Sequence, residues 1–217
     1  MLNLYCIPGM GVDERLFRNL KPDNCTLHHI KWETPHKKET LPHYAMRLAR
    51  QIDTSKPFAL LGVSFGGMCA TEIAKQMHPV KTFVVSSCKV SEELPLRLTI
   101  WKYIPLYKHV SDKTYKGAAL FFKRQFGVTS KDQSHKFKQM LDASPHNYFK
   151  GAVHCLLSWK NKIVPASVVH IHGNADKVLR IDKVKPNYII EGGSHFMIIN
   201  KAKEINKIIN EELKGYI

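Results

Sequence analysis

At 217 residues the chain is long enough for one domain with a full core, and 44% apolar with 24% charged residues excludes a disordered protein. The formal charge of +15 is scattered singly through amphipathic stretches, so it reads as a solvated basic surface and not as a nucleic-acid motif. Five cysteines (Cys6, Cys25, Cys69, Cys88, Cys155), odd in number and widely spaced, exclude a disulfide framework or a cysteine zinc site and read as reduced, mostly buried thiols.

The chain enters an apolar run at once, Leu2 to Ile7, without the charged region, apolar core and cleavage site of a signal peptide. No run is long enough to span a bilayer, so the expected compartment is the cytoplasm. Five more strand-length apolar segments follow: Thr26 to Trp32, Phe58 to Val63, Thr82 to Ser86, Ser167 to Ile171 and Asn187 to Ile190. Several are rich in Val or Ile, as parallel strands buried on both faces tend to be.

Between the second and third runs, Thr40 is placed to cap a helix whose apolar stripe is Leu41, Tyr44, Ala45, Leu48 and Ile52. The third run leads into Gly62-Val63-Ser64-Phe65-Gly66, and then into a helix whose Gly66, Gly67, Ala70 and Ala74 allow close approach to a sheet. After the fourth run the alternation breaks. Residues 89–165 look helical throughout, with starts at Ser111-Asp112, at Ser130 and at Ser144-Pro145, and carry many aromatics, among them Trp101, Tyr115, Phe122, Phe126 and Phe149. A last helix places Ala202, Ile205, Ile208, Ile209 and Leu213 on one face. This order predicts an α/β fold with a mainly parallel sheet of about six strands flanked by helices. Residues 1–88 and 166–217 would form the core, and 89–165 an inserted helical cap.

Gly-x-Ser-x-Gly between strand and helix can force a serine into a sharp turn with its hydroxyl exposed. That hydroxyl needs a base, and the base an orienting acid. His195, in Gly192-Gly193-Ser194-His195, lies just past the sixth apolar run, and Asp176, in His172-Gly173-Asn174-Ala175-Asp176, just past the fifth. All three candidates therefore fall beyond strand ends, where open α/β sheets build their sites. Asp176 is also placed to be a helix-capping turn residue, with Asp182 in reserve. An oxyanion hole would draw on the backbone amides of Phe65 and of Met10, in Pro8-Gly9-Met10-Gly11, although the same residues also suit a plain turn. His170 and His172 form an H-x-H pair with no third ligand at a plausible spacing, so no metal is expected and His172 is read as shaping the acid loop.

Together the oxyanion loop 8–11, elbow 62–67, acid loop 172–176, histidine loop 192–196 and helical insertion resemble the α/β-hydrolase fold superfamily. By that resemblance Ser64 is the nucleophile, His195 the base and acid, and Asp176 its orienter, with Met10 and Phe65 amides binding the oxyanion. The chain begins at what would be the family's third strand, and Pro8-Gly9 stands where the family often has His-Gly. The expected activity is cleavage of a small to medium carboxylic ester or thioester through an acyl-enzyme, with no cofactor, a small-molecule ester-type substrate and neither nucleic acid nor a membrane span involved. Peptide or C–C bond cleavage, or a catalytically silent ligand-binding protein of the same fold, are the alternatives.

Overall fold

The apolar runs form a six-stranded, all-parallel sheet in the computed structural model, which describes residues 1–100, 103 and 105–216. Its strands are β1 (Leu2–Ile7), β2 (Cys25–His29), β3 (Phe58–Val63), β4 (Thr82–Val85), β5 (Val168–Gly173) and β6 (Tyr188–Ile190), in the spatial order β2-β1-β3-β4-β5-β6. β3, β4 and β5 are buried along their whole length, which is why their sequences are continuous apolar runs. The edge strands β2 and β6 are partly exposed.

Two strand ends differ from the sequence expectation by more than one residue. β2 stops at His29: Ile30 N still donates to Cys6 O (3.0 Å), and the chain then leaves the sheet, so Trp32 lies beyond the strand. β5 runs on to Gly173 because β6 pairs with it that far, Gly173 opposite Ile190.

Helix α1 (Leu41–Leu48) follows β2, and α2 (Phe65–Met77) follows β3. The predicted stripe of α1 is buried, with Ile52 buried beyond the helix end. Thr40 holds the cap position with extended backbone, but its hydroxyl makes no capping bond; Pro42 in the first turn sits where a missing N–H costs nothing. Between β4 and β5 lie α3 (Leu96–Thr99), α4 (Asp112–Phe121), α5 (Lys131–Asp142) and α6 (Tyr148–Ser158). Ser111 caps α4 by accepting from Thr114 N (3.2 Å), and Ser130 with Gln133 forms a reciprocal capping box on α5. Ser144-Pro145 does not start a helix. The Ser144 hydroxyl instead donates to Gly11 O (3.2 Å), and α6 begins three residues later, after Asn147 in a left-handed conformation. Trp101 lies outside the described residues.

Short α7 (Met197–Asn200) and amphipathic α8 (Ala202–Leu213) close the chain. On α8, Ala202, Ile205, Ile209 and Leu213 are buried and Ile208 packs half-buried against the core. The five cysteines are free thiols, all buried except the half-buried Cys25. Among the described residues no helix is long and apolar enough to cross a membrane.

Because every pairing is parallel, all the loops after the strands gather at one edge of the sheet. β1 is the point where the strand order reverses, with β2 on one side and β3 on the other. The crevice outside the C-terminal ends of β1 and β3 is where open sheets of this kind bind ligands. Residues 8–11 and Ser64 lie there.

Candidate active site

Ser64 links β3 to α2 with φ 54° and ψ −123°, a backbone conformation that L-residues rarely adopt. Neighbours hold it there: Ser64 N donates to Val85 O (3.0 Å), and Ser64 O accepts from Ser87 Oγ (2.6 Å) and Gly67 N (2.8 Å). The flanking glycines are dictated by space. A Cβ on Gly62 would lie 2.3 Å from Gly66 O, and one on Gly66 would lie 2.2 Å from Pro8 O. Backbone meets backbone at both positions, so neither admits a side chain.

The sheet edge brings the three predicted side chains together. His195 Nε2 lies 2.9 Å from Ser64 Oγ, and His195 Nδ1 lies 2.8 Å from Asp176 Oδ2. With Asp176 ionised, Nδ1 carries the proton and donates, which leaves Nε2 to accept from the serine. Both His195 and Asp176 are buried. Burial pushes the Asp176 carboxyl up, but the charge and hydrogen bond of His195, the Leu179 amide and His172 outweigh it, and its pKa falls below the ordinary carboxylate value. The other oxygen, Oδ1, accepts from Val178 N (2.8 Å) and Leu179 N (2.9 Å), so Asp176 both closes its own turn and faces the histidine. Asp182 stands apart: its carboxylate is half-exposed and pairs with Arg180 (3.0 Å).

Acid and histidine loops are joined directly. Ala175 N donates to Gly193 O (3.0 Å), Gly192 N to Asn174 Oδ1 (2.8 Å), and Asn174 Nδ2 to Glu191 Oε2 (2.6 Å). The helical segment reaches the same place, since Phe196 N donates to Phe126 O (2.9 Å).

Ser64 and His195 open onto a cavity of about 400 Å³, walled by apolar side chains that include Met68, Leu98, Tyr115, Phe122, Phe126 and Phe149. Met10 and Phe65 line it beside the serine, and within the described residues neither backbone amide is engaged in a hydrogen bond. The predicted aromatic wall is only partly recruited. Phe121 points outward at 81% exposure, and Trp159 is buried elsewhere, its indole donating to Glu72 Oε1 (2.7 Å).

Nearly the whole chain superposes on solved structures of the same architecture. A thermophilic esterase from Thermogutta terrifontis superposes with a TM-score of 0.76 at 12% identity, covering 99% of this chain and 90% of that one. A hydrolase from Pseudomonas aeruginosa gives 0.75 at 11% identity, covering 98% and 89%. A lipase-esterase related protein from Clostridium acetobutylicum gives 0.67 at 19% identity, covering 99% and 94%. This is the α/β-hydrolase fold. A family model described as a thioesterase domain matches residues 3–93 of this chain. Comparison with curated protein sequences finds no match.

Within the α/β-hydrolase fold, several residues near the site make contacts that the sequence pattern does not signal. Trp32 donates its indole N–H to Gly9 O (3.1 Å) and Val12 O (3.0 Å), bracing the loop that presents Met10. Ser87 braces the elbow and Ser144 the Gly11 carbonyl. His172 Nε2 lies 2.8 Å from Leu179 O, at the acid loop that His172 is expected to shape; the contacts of His172 Nδ1 with His170 Nε2 (3.1 Å) and of His170 Nδ1 with Lys89 Nζ (2.9 Å) have no signal in the spacing.

Proposed function

We propose that this chain is a serine hydrolase that cleaves a small to medium carboxylic ester or thioester through an acyl-enzyme. The observation that carries the reading is the unbroken hydrogen-bond chain Ser64–His195–Asp176 at the base of an apolar cavity. Ser64 Oγ attacks the carbonyl carbon while its proton passes to His195 Nε2. The resulting oxyanion is received by the Met10 and Phe65 amides, which have no other partner among the described residues. His195 then gives the proton to the departing alkoxide or thiolate. Water, deprotonated by the same nitrogen, releases the acid and restores Ser64. Asp176 stays ionised and keeps the imidazole in the donating tautomer toward itself.

The apolar lining supports an acyl or aryl group as the part of the substrate that is enclosed, and residues 89–165 are proposed to act as the cap that encloses it. The thioesterase-domain match over residues 3–93 and the esterase neighbours support ester or thioester chemistry over peptide or C–C bond cleavage. A panel of p-nitrophenyl esters and acyl thioesters of graded chain length tests the reading. Wild type should turn over a subset, and Ser64→Ala should lose at least about a thousandfold in kcat. Full activity in Ser64→Ala would overturn the assignment. Failure of a fluorophosphonate probe to label Ser64 would point instead to a silent ligand-binding protein.

A further inference from the structure

Next to Asp176 lies a buried polar chain that the proposed chemistry does not use. Lys89 Nζ is 2.9 Å from His170 Nδ1, 2.6 Å from Lys185 O and 3.2 Å from Glu93 Oε1. An ammonium has three donors and no lone pair, and here each N–H has an acceptor. His170 Nδ1 must therefore accept. His170 Nε2 faces His172 Nδ1 at 3.1 Å, and His172 Nε2 faces Leu179 O at 2.8 Å with Asp176 Oδ2 at 3.6 Å. Lys89, His170 and His172 are all buried.

We infer that Lys89 is a positioning residue: acting through His170 and His172, it fixes the hydrogen-bond direction that holds the turn carrying Asp176. The inference rests on the serine chemistry above for its effect on rate, whereas the bonding direction stands independently of that chemistry.

The direction follows from the two ends. Lys89 can only donate, and the Leu179 carbonyl can only accept. Between them one arrangement satisfies each of these contacts: both imidazoles neutral, each with its proton on Nε2. Burial, then the neighbouring Lys89 charge, push His170 down to about 2, so it is neutral in the physiological range. Burial likewise lowers His172. The chain thus delivers an N–H, and not a lone pair, to the turn. A reversed His172 would set its lone pair against the Leu179 carbonyl and the Asp176 carboxylate.

Lys89 also stands where the chain leaves β4 for the helical segment. Asn161, at the far end of that segment, donates from Nδ2 to Lys89 O (2.7 Å), and Ser91 N donates to Asn161 O (2.8 Å). Both stems of the segment are thereby clasped, and the lysine side chain links the clasp to the acid turn.

The test begins with the full chain labelled with ¹⁵N-histidine. Long-range ¹H–¹⁵N spectra at neutral pH should show His170 and His172 neutral and protonated at Nε2. A proton on Nδ1 of either ring, or a doubly protonated ring, overturns the inference without any variant. Lys89→Met, which keeps the stem and removes the donors, should shift both rings' nitrogen resonances and the His195 Nδ1 proton. It should also lower kcat on a p-nitrophenyl ester by about tenfold, with KM within about twofold. Lys89→Arg, which keeps donors, should recover most of both losses. A folded Lys89→Met with wild-type resonances and kcat overturns the inference. Wild type that hydrolyses no ester or thioester would defeat the serine reading, while the histidine and His195 resonances would still decide the role of Lys89.

Discussion

The indole of Trp32 donates one N–H to two carbonyls, Gly9 O at 3.1 Å and Val12 O at 3.0 Å, and so spans the loop after β1. Its ring packs against Tyr44 and Phe65, which fixes the indole before the loop is added. Gly9 O keeps a second donor in Val12 N, but among the described residues Val12 O has no such reserve. Trp32→Phe should therefore cost about 1 kcal/mol of stability in urea titration. The effect on rate should be larger, about tenfold in kcat, because the Met10 amide loses its brace. A kcat equal to wild type would show that the loop holds its shape without the indole.

Two glycines of the site should respond in opposite ways to alanine. On Gly66 a methyl group would fall 2.2 Å from Pro8 O and 2.3 Å from Ile7 O, both backbone atoms that cannot move aside. On Gly9 the nearest atoms are Val12 Cγ2 at 3.4 Å and Ser64 Cβ at 3.6 Å, ordinary contacts. Gly66→Ala should destabilise the fold by about 3 kcal/mol or prevent folding, whereas Gly9→Ala should fold with near-wild-type stability. Thermal unfolding of the pair checks this. Equal losses would mean that α2 can lift away from β1.

The parts of the site that announce themselves in the sequence are those whose chemistry demands a residue type at a fixed place on the chain. Gly62 and Gly66 do so because two backbones touch there, Ser64 and Asp176 because each follows a buried strand whose apolar run is plain, and His195 because it follows the short apolar run of β6 through two glycines. Buried strands were legible for the same reason; β2 was overrun because the apolar residues after His29 serve the loop and not the sheet. What stayed hidden depends on contacts between distant segments. Ser144 looks like a helix start until Gly11, 133 residues away, takes its hydroxyl. Lys89 looks like one more surface lysine in a basic segment until the fold buries it against His170. Neither partner is encoded by local spacing, so periodicity carries no trace of them.

Asp176 and Asp182 separate a residue with a partner in the site from one without. Asp176→Asn retains the shape but offers His195 Nδ1 an amide in place of a carboxylate, so the imidazole loses its reason to keep the proton on that nitrogen. A fall in kcat of about 10³- to 10⁴-fold is expected. Asp182 lies in the short helical turn Ile181–Lys183, and its carboxylate pairs with Arg180 on the surface. Asp182→Asn should leave kcat within about twofold, since exposed pairs of this kind contribute little. Ester kinetics on the two variants side by side decide between the candidates, and a large loss in Asp182→Asn would move the acid's role away from Asp176.

Stability should fall as the pH drops below about 6.5, and the sign follows from the buried histidines. His170 is held neutral in the folded protein, its pKa pushed down to about 2 from the ordinary value near 6.5, first by burial and then by Lys89. In the unfolded chain it takes up a proton near its ordinary value. Between those two values the unfolded state binds the extra proton, so unfolding becomes easier as pH falls. One such group contributes a slope approaching about 1.4 kcal/mol per pH unit. His172 is shifted the same way by burial, as are His29, at the exposed end of β2, and the half-buried His154. Asp176 adds nothing in the upper part of this window, since its lowered pKa keeps it ionised in both states until the pH nears the carboxylate range. Urea titrations at pH 7.5, 6.0 and 5.0 should therefore show a steady loss above pH 5, before any carboxylate titrates. His170→Gln removes one of the titrating groups, and its curve should be flatter than wild type by about one proton's worth. A wild-type curve that is level from pH 7.5 to 5.0 would mean that His170 charges in the folded state, which Lys89 at 2.9 Å forbids.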